Sequence, residues 1–256
     1  MTLLTAKKCL GQHFLLDKNI AQRIVDTISK KPQTLLEIGP GTGVLTELLV
    51  QQKDIALYLV EVDTELVSYL KQTYPELQDR IIAADVLKLA FANLWRGNMT
   101  IIGNFPYNIS SQILFKVLEH RQQIDEVVGM IQQEVAERLV AKPGSKVYGI
   151  LSVLLQAFYN LEYCFTVEPQ AFSPSPKVRS AVVRLRRNST LQLGCDETLF
   201  FRVVKAGFQQ RRKMLRNALK SLLPINKKAP LPLLAQRAEQ LTIADFVALT
   251  DYIAIV

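Results

Sequence analysis

The sequence is poor in the residues that build metal centres and disulfide scaffolds. Its 256 residues include three cysteines, Cys9, Cys164 and Cys195, and two histidines, His13 and His120. The cysteines are far apart, odd in number and form no CxxC pair, so we expect neither a disulfide framework nor a His/Cys metal site. Such cysteine usage is typical of a reducing cytoplasm, which is the predicted location.

Long apolar runs are also missing. No stretch approaches the roughly 20 apolar residues that a membrane-spanning helix needs. The first residues contain no apolar run followed by a small-residue cleavage site, so no secretory signal is expected. Hydrophobic residues still make up 49% of the chain. That content allows a substantial core and excludes disordered, collagen-like and low-complexity proteins.

The net charge of +8 is unevenly distributed along the chain. Residues 1–31 carry a net charge of +4, residues 32–176 carry −6, residues 177–228 carry +12 and residues 229–256 carry −2. An acidic body flanked by basic segments predicts a polyanionic partner. A merely basic protein is the alternative interpretation, but fourteen basic residues against two acidic ones in 177–228 favour the polyanion.

Short apolar runs alternate with helical patterns over most of the chain. Strands are predicted at residues 34–38, 55–60, 81–84, 100–103, 127–131, 161–167 and 181–186. Helices are predicted at residues 44–52, 64–73, 110–119, 134–140 and 152–159. This alternation predicts a doubly wound, mostly parallel α/β sheet. The last two strands are candidates for an antiparallel pair.

After residue 188 the strand signal fades. Helices are predicted at residues 199–208, 212–223 and 243–253, with a proline-punctuated segment at 224–232. The sequence therefore predicts two domains, an α/β domain over residues 1–188 and a small all-helical domain over residues 189–256. Residues 1–31 form a basic N-terminal segment that is predicted to act as a lid.

A glycine-rich turn follows the first predicted strand of the sheet. Gly39, Gly41 and Gly43 let the backbone turn tightly and approach a ligand closely. The spacing is G-x-G-x-G with Glu37 two residues ahead, whereas a dinucleotide fingerprint requires G-x-G-x-x-G. The observed spacing is typical of an S-adenosylmethionine (SAM) pocket, and it disfavours a nicotinamide oxidoreductase.

Two carboxylates end the next two predicted strands. Glu61 can accept hydrogen bonds from both hydroxyls of a ribose, and Asp85 can accept one from the adenine amine. Either residue alone could be an ordinary solvated carboxylate. Because the carboxyl ends of parallel strands open into one crevice, we expect both to converge with the glycine turn.

The segment Asn104-Phe105-Pro106-Tyr107 follows the fourth predicted strand and suits methylation of an aromatic amine. The Asn104 side-chain oxygen and the Phe105 carbonyl can accept the amine N–H groups, which localises the nitrogen lone pair. Pro106 stiffens the turn, and Tyr107 can stack on an extruded base. No general base is needed, since the methylated amine can lose its proton to water. An ordinary turn closing a strand is the alternative.

With these motifs in place, the chain resembles the KsgA/RsmA-type small-subunit (16S) ribosomal RNA adenine dimethyltransferases over nearly its whole length. The matching segments are residues 8–15, 37–43, 60–63, 85, 104–110, 172–178 and 208–213. The resemblance implies the class I SAM-dependent methyltransferase fold and transfer of two methyl groups to each of two adjacent adenines near the 3′ end of small-subunit rRNA. It also implies a monomer that acts on the 30S particle.

The resemblance assigns site residues as well. The SAM contacts map onto His13, Leu15, Gly39, Glu61, Asp85 and Asn104, and the base-stacking rings map onto Tyr107 and Phe172. Gly41 in the glycine turn is a further candidate SAM contact. Position 13 is often asparagine in this family and position 105 is usually leucine, so His13 and Phe105 depart from its pattern. A core anchor is the alternative for Phe172, and an amphipathic helix packed on the body is the alternative for the N-terminal segment.

A basic helix is predicted from residue 212. Leu215, Leu219 and Leu222 form a buried stripe at helical spacing. Six basic side chains are predicted to contact RNA phosphates. One lies in the segment 172–178 and the other five lie mostly off the apolar stripe: Lys177, Arg211, Arg212, Lys213, Arg216 and Lys220. A solvated face is the alternative. At the level of function, a large-subunit (23S) methyltransferase of the antibiotic-resistance type and a ribosome-assembly or transcription-type binding factor remain as rivals.

Overall fold

The structure, a computed structural model, describes residues 6–7, 10–29, 32–91, 95, 97–223 and 232–254. Residues 8 and 9 of the N-terminal motif and residues 224–231 of the proline-punctuated segment lie outside these ranges. The chain forms two compact units, residues 1–136 with 161–187, and residues 137–160 with 188–256. The second unit thus includes residues 137–160, which the sequence prediction grouped with the α/β domain.

The main sheet of the described residues has seven strands in the order β4-β3-β2-β5-β6-β9-β7. A separate two-stranded sheet pairs β1 with β8. The strands are β1 (Phe14–Leu15), β2 (Thr34–Ile38), β3 (Ala56–Glu61), β4 (Ile81–Ala83), β5 (Met99–Asn104), β6 (Ile124–Gln132), β7 (Tyr159–Val167), β8 (Phe172–Ser173) and β9 (Ser180–Arg187).

The first five strands of that order run parallel, and β9 pairs antiparallel with β6. The strand order reverses between β2 and β5, which lie side by side although β3 and β4 separate them in sequence. In open α/β sheets, ligands bind outside the carboxyl ends of the strands at this kind of switch point. The predicted α/β class is therefore observed, and the switch point defines where a site is expected.

The helices of the first unit follow the strands. They are α1 (Lys18–Asp26), α2 (Thr46–Leu49), α3 (Thr64–Thr73) and α4 (Ser110–Glu119). Helix α3 has the predicted bounds because Asp63 caps it, accepting a hydrogen bond from the Glu65 N–H. Helix α2 is shorter than predicted because residues 41–45 are used in the turn after β2. Buried aliphatic residues of α1, α2 and α3 and of β2, β3 and β6 belong to one core cluster of the unit.

Helix α5 (Gln133–Val140) leads from β6 to the second unit. That unit also contains α6 (Ile150–Gln156), α7 (Glu197–Gln209), α8 (Leu215–Ala218) and α9 (Ile243–Ala254). Its core includes rings of Phe200, Phe208 and Phe246, and none of the three is more than 9% exposed. None of the helices in the described ranges is long and apolar enough to cross a bilayer.

The prediction of one long basic helix over residues 212–223 is wrong. Residues 210–212 form turns and residue 213 a bend, and Met214 has an extended backbone that immediately precedes the four-residue α8. The Leu215 N–H bonds to the Gln236 carbonyl, 2.8 Å away, instead of continuing a helical ladder from residue 211. Leu215 and Leu219 are fully buried as predicted, whereas Leu222 is half-buried, so the buried stripe is confirmed at two of its three positions and its helical extent is not.

Candidate active site

The turn after β2 depends on backbone conformations that favour glycine. Gly39, Gly41 and Gly43 all have φ between 58° and 86°, a region that side chains rarely adopt. A Cβ atom on Gly41 would also lie 3.1 Å from the Phe14 ring. The missing side chains therefore let the N-terminal segment approach the turn closely.

Glu61 ends β3 beside this turn, and only 5% of its surface is exposed. Its Oε1 accepts hydrogen bonds from the N–H groups of Val62 and Asp63, at 2.9 and 3.0 Å, and its Oε2 accepts one from Gly41 at 3.3 Å. Burial raises the pKa of Glu61, and these backbone hydrogen bonds oppose that rise. The carboxylate is thus held in one orientation toward the turn.

Glu37 is a buried acid of the same site whose role the sequence analysis left open. It is 1% exposed within β2, and Thr46 Oγ1 donates a 2.7 Å hydrogen bond to its Oε2. Burial raises the pKa of Glu37 to about 8, and the nearby charge of Glu61 adds to the effect. Its position inside an otherwise apolar strand was the signal for an unusual environment.

Asn104 ends β5 directly across from the glycine turn. Its Nδ2 donates a 2.8 Å hydrogen bond to the main-chain carbonyl of His13. The Phe105 ring is 1% exposed and packs over Gly129, where a Cβ would lie 2.6 Å from the ring. The absence of a side chain at Gly129 therefore leaves room for the phenylalanine ring at position 105.

Tyr107 is held from two sides. Its hydroxyl is hydrogen-bonded to Ser180 Oγ, and its ring stacks on the His13 ring with centroids 5.3 Å apart and an interplanar angle of 29°. Burial raises the pKa of Tyr107. His13 Nδ1 in turn lies 2.7 Å from the Pro174 carbonyl oxygen. One face of the tyrosine ring is therefore covered by the N-terminal segment.

These groups surround one open cavity with about 660 Å³ of empty space, including its mouth. The N-terminal segment, the end of β2, the end of β3 and the loop after β5 all contribute to its wall. The predicted site residues that line it are His13, Leu15, Gly39, Gly41, Glu61, Asn104, Phe105, Pro106 and Tyr107. The sequence thus identified residues from four separate segments that share one cavity.

Three predicted site residues of the first unit lie outside this cavity lining. Asp85 follows β4, and its Oδ1 caps the next turn by accepting the Leu87 N–H at 2.9 Å. Phe172 is 4% exposed, pairs with Leu15 across β1 and β8, and belongs to the hydrophobic core. This burial favours the core anchor that was the alternative to a stacking ring, because the pairing with Leu15 places Phe172 in the core. Lys177 is exposed on the following loop.

The predicted RNA-contacting residues of the second unit differ in environment. Arg212, Lys213, Arg216 and Lys220 are exposed. Arg211 instead pairs with Glu239, with Nε and Oε2 2.5 Å apart, and donates to the Ser145 carbonyl. Arg211 therefore links three segments of its own unit, whereas the other four cations face solvent.

Within the described ranges, no group of three or more His, Cys, Asp or Glu side chains is placed to hold a metal ion. The chemistry of the cavity instead suits an adenosyl ligand. Glu61 is a buried hydrogen-bond acceptor at the end of β3, and the glycine turn provides a close backbone approach. The donors and acceptors present thus fit the ribose and amino-acid groups of SAM.

Comparison with known proteins gives a consistent picture. Residues 3–254 match the family described as Ribosomal RNA adenine dimethylase. A protein of Cytophaga hutchinsonii named Ribosomal RNA small subunit methyltransferase A is 54% identical, and the match covers 99% of both chains. A protein of the same name from Parabacteroides distasonis is 56% identical over 98% of this chain and 94% of that protein.

Two solved structures are similar over nearly the whole chain. A dimethyladenosine transferase from Plasmodium falciparum has a TM-score of 0.73 and 25% identity over 93% of this chain and 96% of that one. The 23S rRNA methyltransferase ErmE has a TM-score of 0.67 and 25% identity over 93% of this chain and 99% of that one. Both have the class I methyltransferase fold, and family and fold together imply SAM as the methyl donor. The chain therefore belongs to the ribosomal RNA adenine dimethylase family and is a SAM-dependent rRNA adenine dimethyltransferase, as its motifs indicated.

Proposed function

We propose that this enzyme dimethylates two adjacent adenines near the 3′ end of 16S rRNA in the small ribosomal subunit and thereby contributes to rRNA processing and ribosome biogenesis. The observation that carries the proposal is the single cavity shared by Glu61, the glycine turn and the Asn104–Tyr107 loop. Relatives named for the small subunit are 50–56% identical, whereas the large-subunit enzyme ErmE is 25% identical. This difference supports the small-subunit substrate.

The cofactor contacts are assigned to residues at the ends of β2 and β3, to the N-terminal segment and to Asp85, which follows β4 outside the cavity lining. Glu61 would accept the ribose hydroxyls, while Gly39, Gly41, His13 and Leu15 would form the close wall around the donor. Asp85 would contact the adenine amine with the carboxylate oxygen that does not cap the Leu87 turn. When bound, SAM supplies an electrophilic methyl group on its sulfonium.

The base side is assigned to the loop after β5. Asn104 Nδ2 is engaged by the His13 carbonyl, which supports Oδ1 as the acceptor for the target amine. The next two carbonyls of the loop, of Pro106 and Tyr107, accept bonds from Ile109 and Ser110. We assign the preceding Phe105 carbonyl as the second acceptor. Both acceptors act by orientation and electrostatic complementarity.

The ring of Tyr107 would stack on the flipped adenine with the face that His13 does not cover. Phe172 is buried, so its contribution would be to support Leu15 from the core rather than to stack on the base. Base recognition in this proposal therefore rests on one exposed ring face and two acceptors.

The exposed cations Lys177, Arg212, Lys213, Arg216 and Lys220 are proposed to bind RNA phosphates. We further propose that the protein acts as a monomer on the 30S particle in the cytoplasm. The reaction should need no metal ion, since a sulfonium methyl is already activated for transfer. Methylation should accordingly persist in excess EDTA, apart from any effect on the folding of the RNA.

One assay tests the assignment of the substrate. Undermethylated small subunits and large subunits are incubated separately with tritiated SAM and the enzyme, and label in each rRNA is counted. We expect label in 16S rRNA that maps to two adjacent dimethyladenines. Label confined to the large subunit would indicate the 23S-type activity instead, and binding without any label would indicate a binding factor.

A further inference from the structure

A charged cluster next to the cofactor cavity has no role in the chemistry described above. The Asp63 side chain is 2% exposed. Its Oδ1 lies 2.7 Å from Lys7 Nζ, and its Oδ2 accepts a 3.2 Å hydrogen bond from Gln12 Nε2. Gln12 Oε1 accepts the Lys7 N–H at 2.8 Å, so the three residues form a closed ring.

The ring joins two parts of the cavity wall. Asp63 lies two residues after Glu61, and its main-chain N–H donates one of the hydrogen bonds that orient the Glu61 carboxylate. Gln12 lines the cavity and immediately precedes His13, whose carbonyl holds the Asn104 amide. The end of β3 is therefore tied to the segment that positions the proposed acceptor for the target amine.

The same N-terminal segment lies close to the rest of the wall. A Cβ on Gly11, at φ +64°, would lie 2.7 Å from Asn108 Oδ1, so residues 11 and 108 are in close contact. Phe14 approaches Gly41 in the same way. Within this contact surface, the Lys7–Asp63 pair is an opposite-charge contact that involves a buried carboxylate.

We propose that Asp63 is a positioning residue that, through Lys7 and Gln12, holds residues 10–15 closed over the SAM cavity. This inference rests on the proposed function only in taking this cavity as the SAM site. Loss of the ring lets the segment move away from the cavity, so SAM dissociates faster. It also releases the carbonyl that holds Asn104.

The contacts of Asp63 with Lys7 and Gln12, which we call the latch, hold residues 10–15 over the cavity. The electrostatics of the cluster keep the latch closed at neutral pH. Burial alone would raise the pKa of Asp63, but the hydrogen bonds from Lys7, Gln12 and the Glu65 N–H outweigh it, so the pKa is lowered. Asp63 is therefore ionised when the segment is closed, and it attracts the Lys7 ammonium throughout the neutral range.

The test measures SAM binding without RNA, by calorimetry for the Kd and by stopped-flow for the dissociation rate. Lys7→Met removes the cation, and Gln12→Glu places a carboxylate against Asp63 with little change in shape. Each should weaken SAM binding about tenfold, mostly through faster dissociation. Lys7→Arg should retain most of the affinity.

Lys18→Met is the matched control, because Lys18 forms an exposed ion pair with Glu47 at 2.9 Å. That variant should bind SAM like the wild type, and thermal melting should show all variants folded. Asp63→Asn, which keeps a capping oxygen for α3, should behave like Lys7→Met. In turnover assays, the KM for SAM should rise by the same factor while the KM for RNA changes less.

The outcomes separate the latch from the proposed function. If Lys7→Met and Gln12→Glu bind and release SAM like the wild type, the latch is refuted whatever the RNA substrate. If the wild type binds SAM with the predicted variant effects but labels no small-subunit rRNA, the latch stands and the proposed substrate fails.

Discussion

The side-chain amide of Asn104 donates to the main-chain carbonyl of His13 across 91 residues of sequence, with the two atoms 2.8 Å apart. The bond fixes which end of the amide faces the N-terminal segment. The other end, the oxygen, is thereby assigned to the target amine. A contact between two distant segments thus determines how the proposed catalytic amide can act.

Replacing Asn104 should separate binding from turnover. We expect Asn104→Ala to lower kcat by about 10²–10³-fold, as loss of a preorganised polar group commonly does, with a much smaller change in SAM affinity. Asn98→Ala, which removes an exposed amide that donates to Asp125 just before the start of β5, is the control. Full turnover in Asn104→Ala would remove this residue from the mechanism.

His13 should act through its ring as well as its backbone. The ring supports Tyr107 by stacking and contacts the Pro174 carbonyl. We expect His13→Phe to keep more rRNA methylation than His13→Ala, because an aromatic ring can still support the tyrosine. Initial rates at varied RNA concentration test this, and equal rates for both variants would show that stacking is unimportant.

Gly129 and Phe105 should be energetically coupled. A Cβ at position 129 would lie 2.6 Å from the Phe105 ring, so Gly129→Ala should destabilise the protein by about 1–3 kcal/mol in urea unfolding. The double variant Phe105→Leu/Gly129→Ala should lose less stability than the sum of the single variants. Gly194→Ala, where an added Cβ meets nothing within 4 Å, is the control. Strict additivity would contradict the packing argument.

The buried Glu37 should make stability depend on pH. Its pKa rises on folding from 4.5 to about 8. The folded state therefore binds more protons between these values, and the free energy of unfolding falls as pH rises through this window. Relative to Glu37→Gln, the wild type should lose of the order of a few kcal/mol between pH 5 and pH 8.

Urea unfolding at several pH values measures this difference. Glu76→Gln, at an exposed acid, serves as the control. A constant difference between wild type and Glu37→Gln across the range would show that Glu37 is already ionised in the folded protein.

The exposed cations and Arg211 should respond differently to substitution. The double variant Arg212→Ala/Lys213→Ala should weaken RNA binding. The slope of log binding constant against log salt concentration should become shallower by about 0.7–0.9 for each lost phosphate contact. Arg211→Ala should change the slope less and instead lower stability slightly, since Arg211 pairs with Glu239. Binding measured across a salt titration decides this, with Lys53→Ala as control.

Much of the architecture follows from local sequence patterns. Strand β2 and helix α3 have the predicted bounds, because an apolar run ending at glycine and an aspartate cap are signals that neighbouring residues provide. The glycine spacing, Glu61 and Asn104 were identified because each follows a strand, and parallel strands bring their carboxyl ends together. The family resemblance drawn from these motifs was confirmed over residues 3–254.

Tertiary structure alone decided what each side chain contacts. Arg211 is 28 residues from Glu239, Lys7 is 56 residues from Asp63, and Phe172 turns inward because its strand pairs with Leu15. The chain by itself determined the order of strands, helices and polar strand ends, since these depend on periodicity and turn chemistry over a few residues. Which cations face solvent, which rings are buried and which residues of the N-terminal segment hold the site depend on contacts between distant segments. Those contacts form only when each unit packs into its tertiary structure.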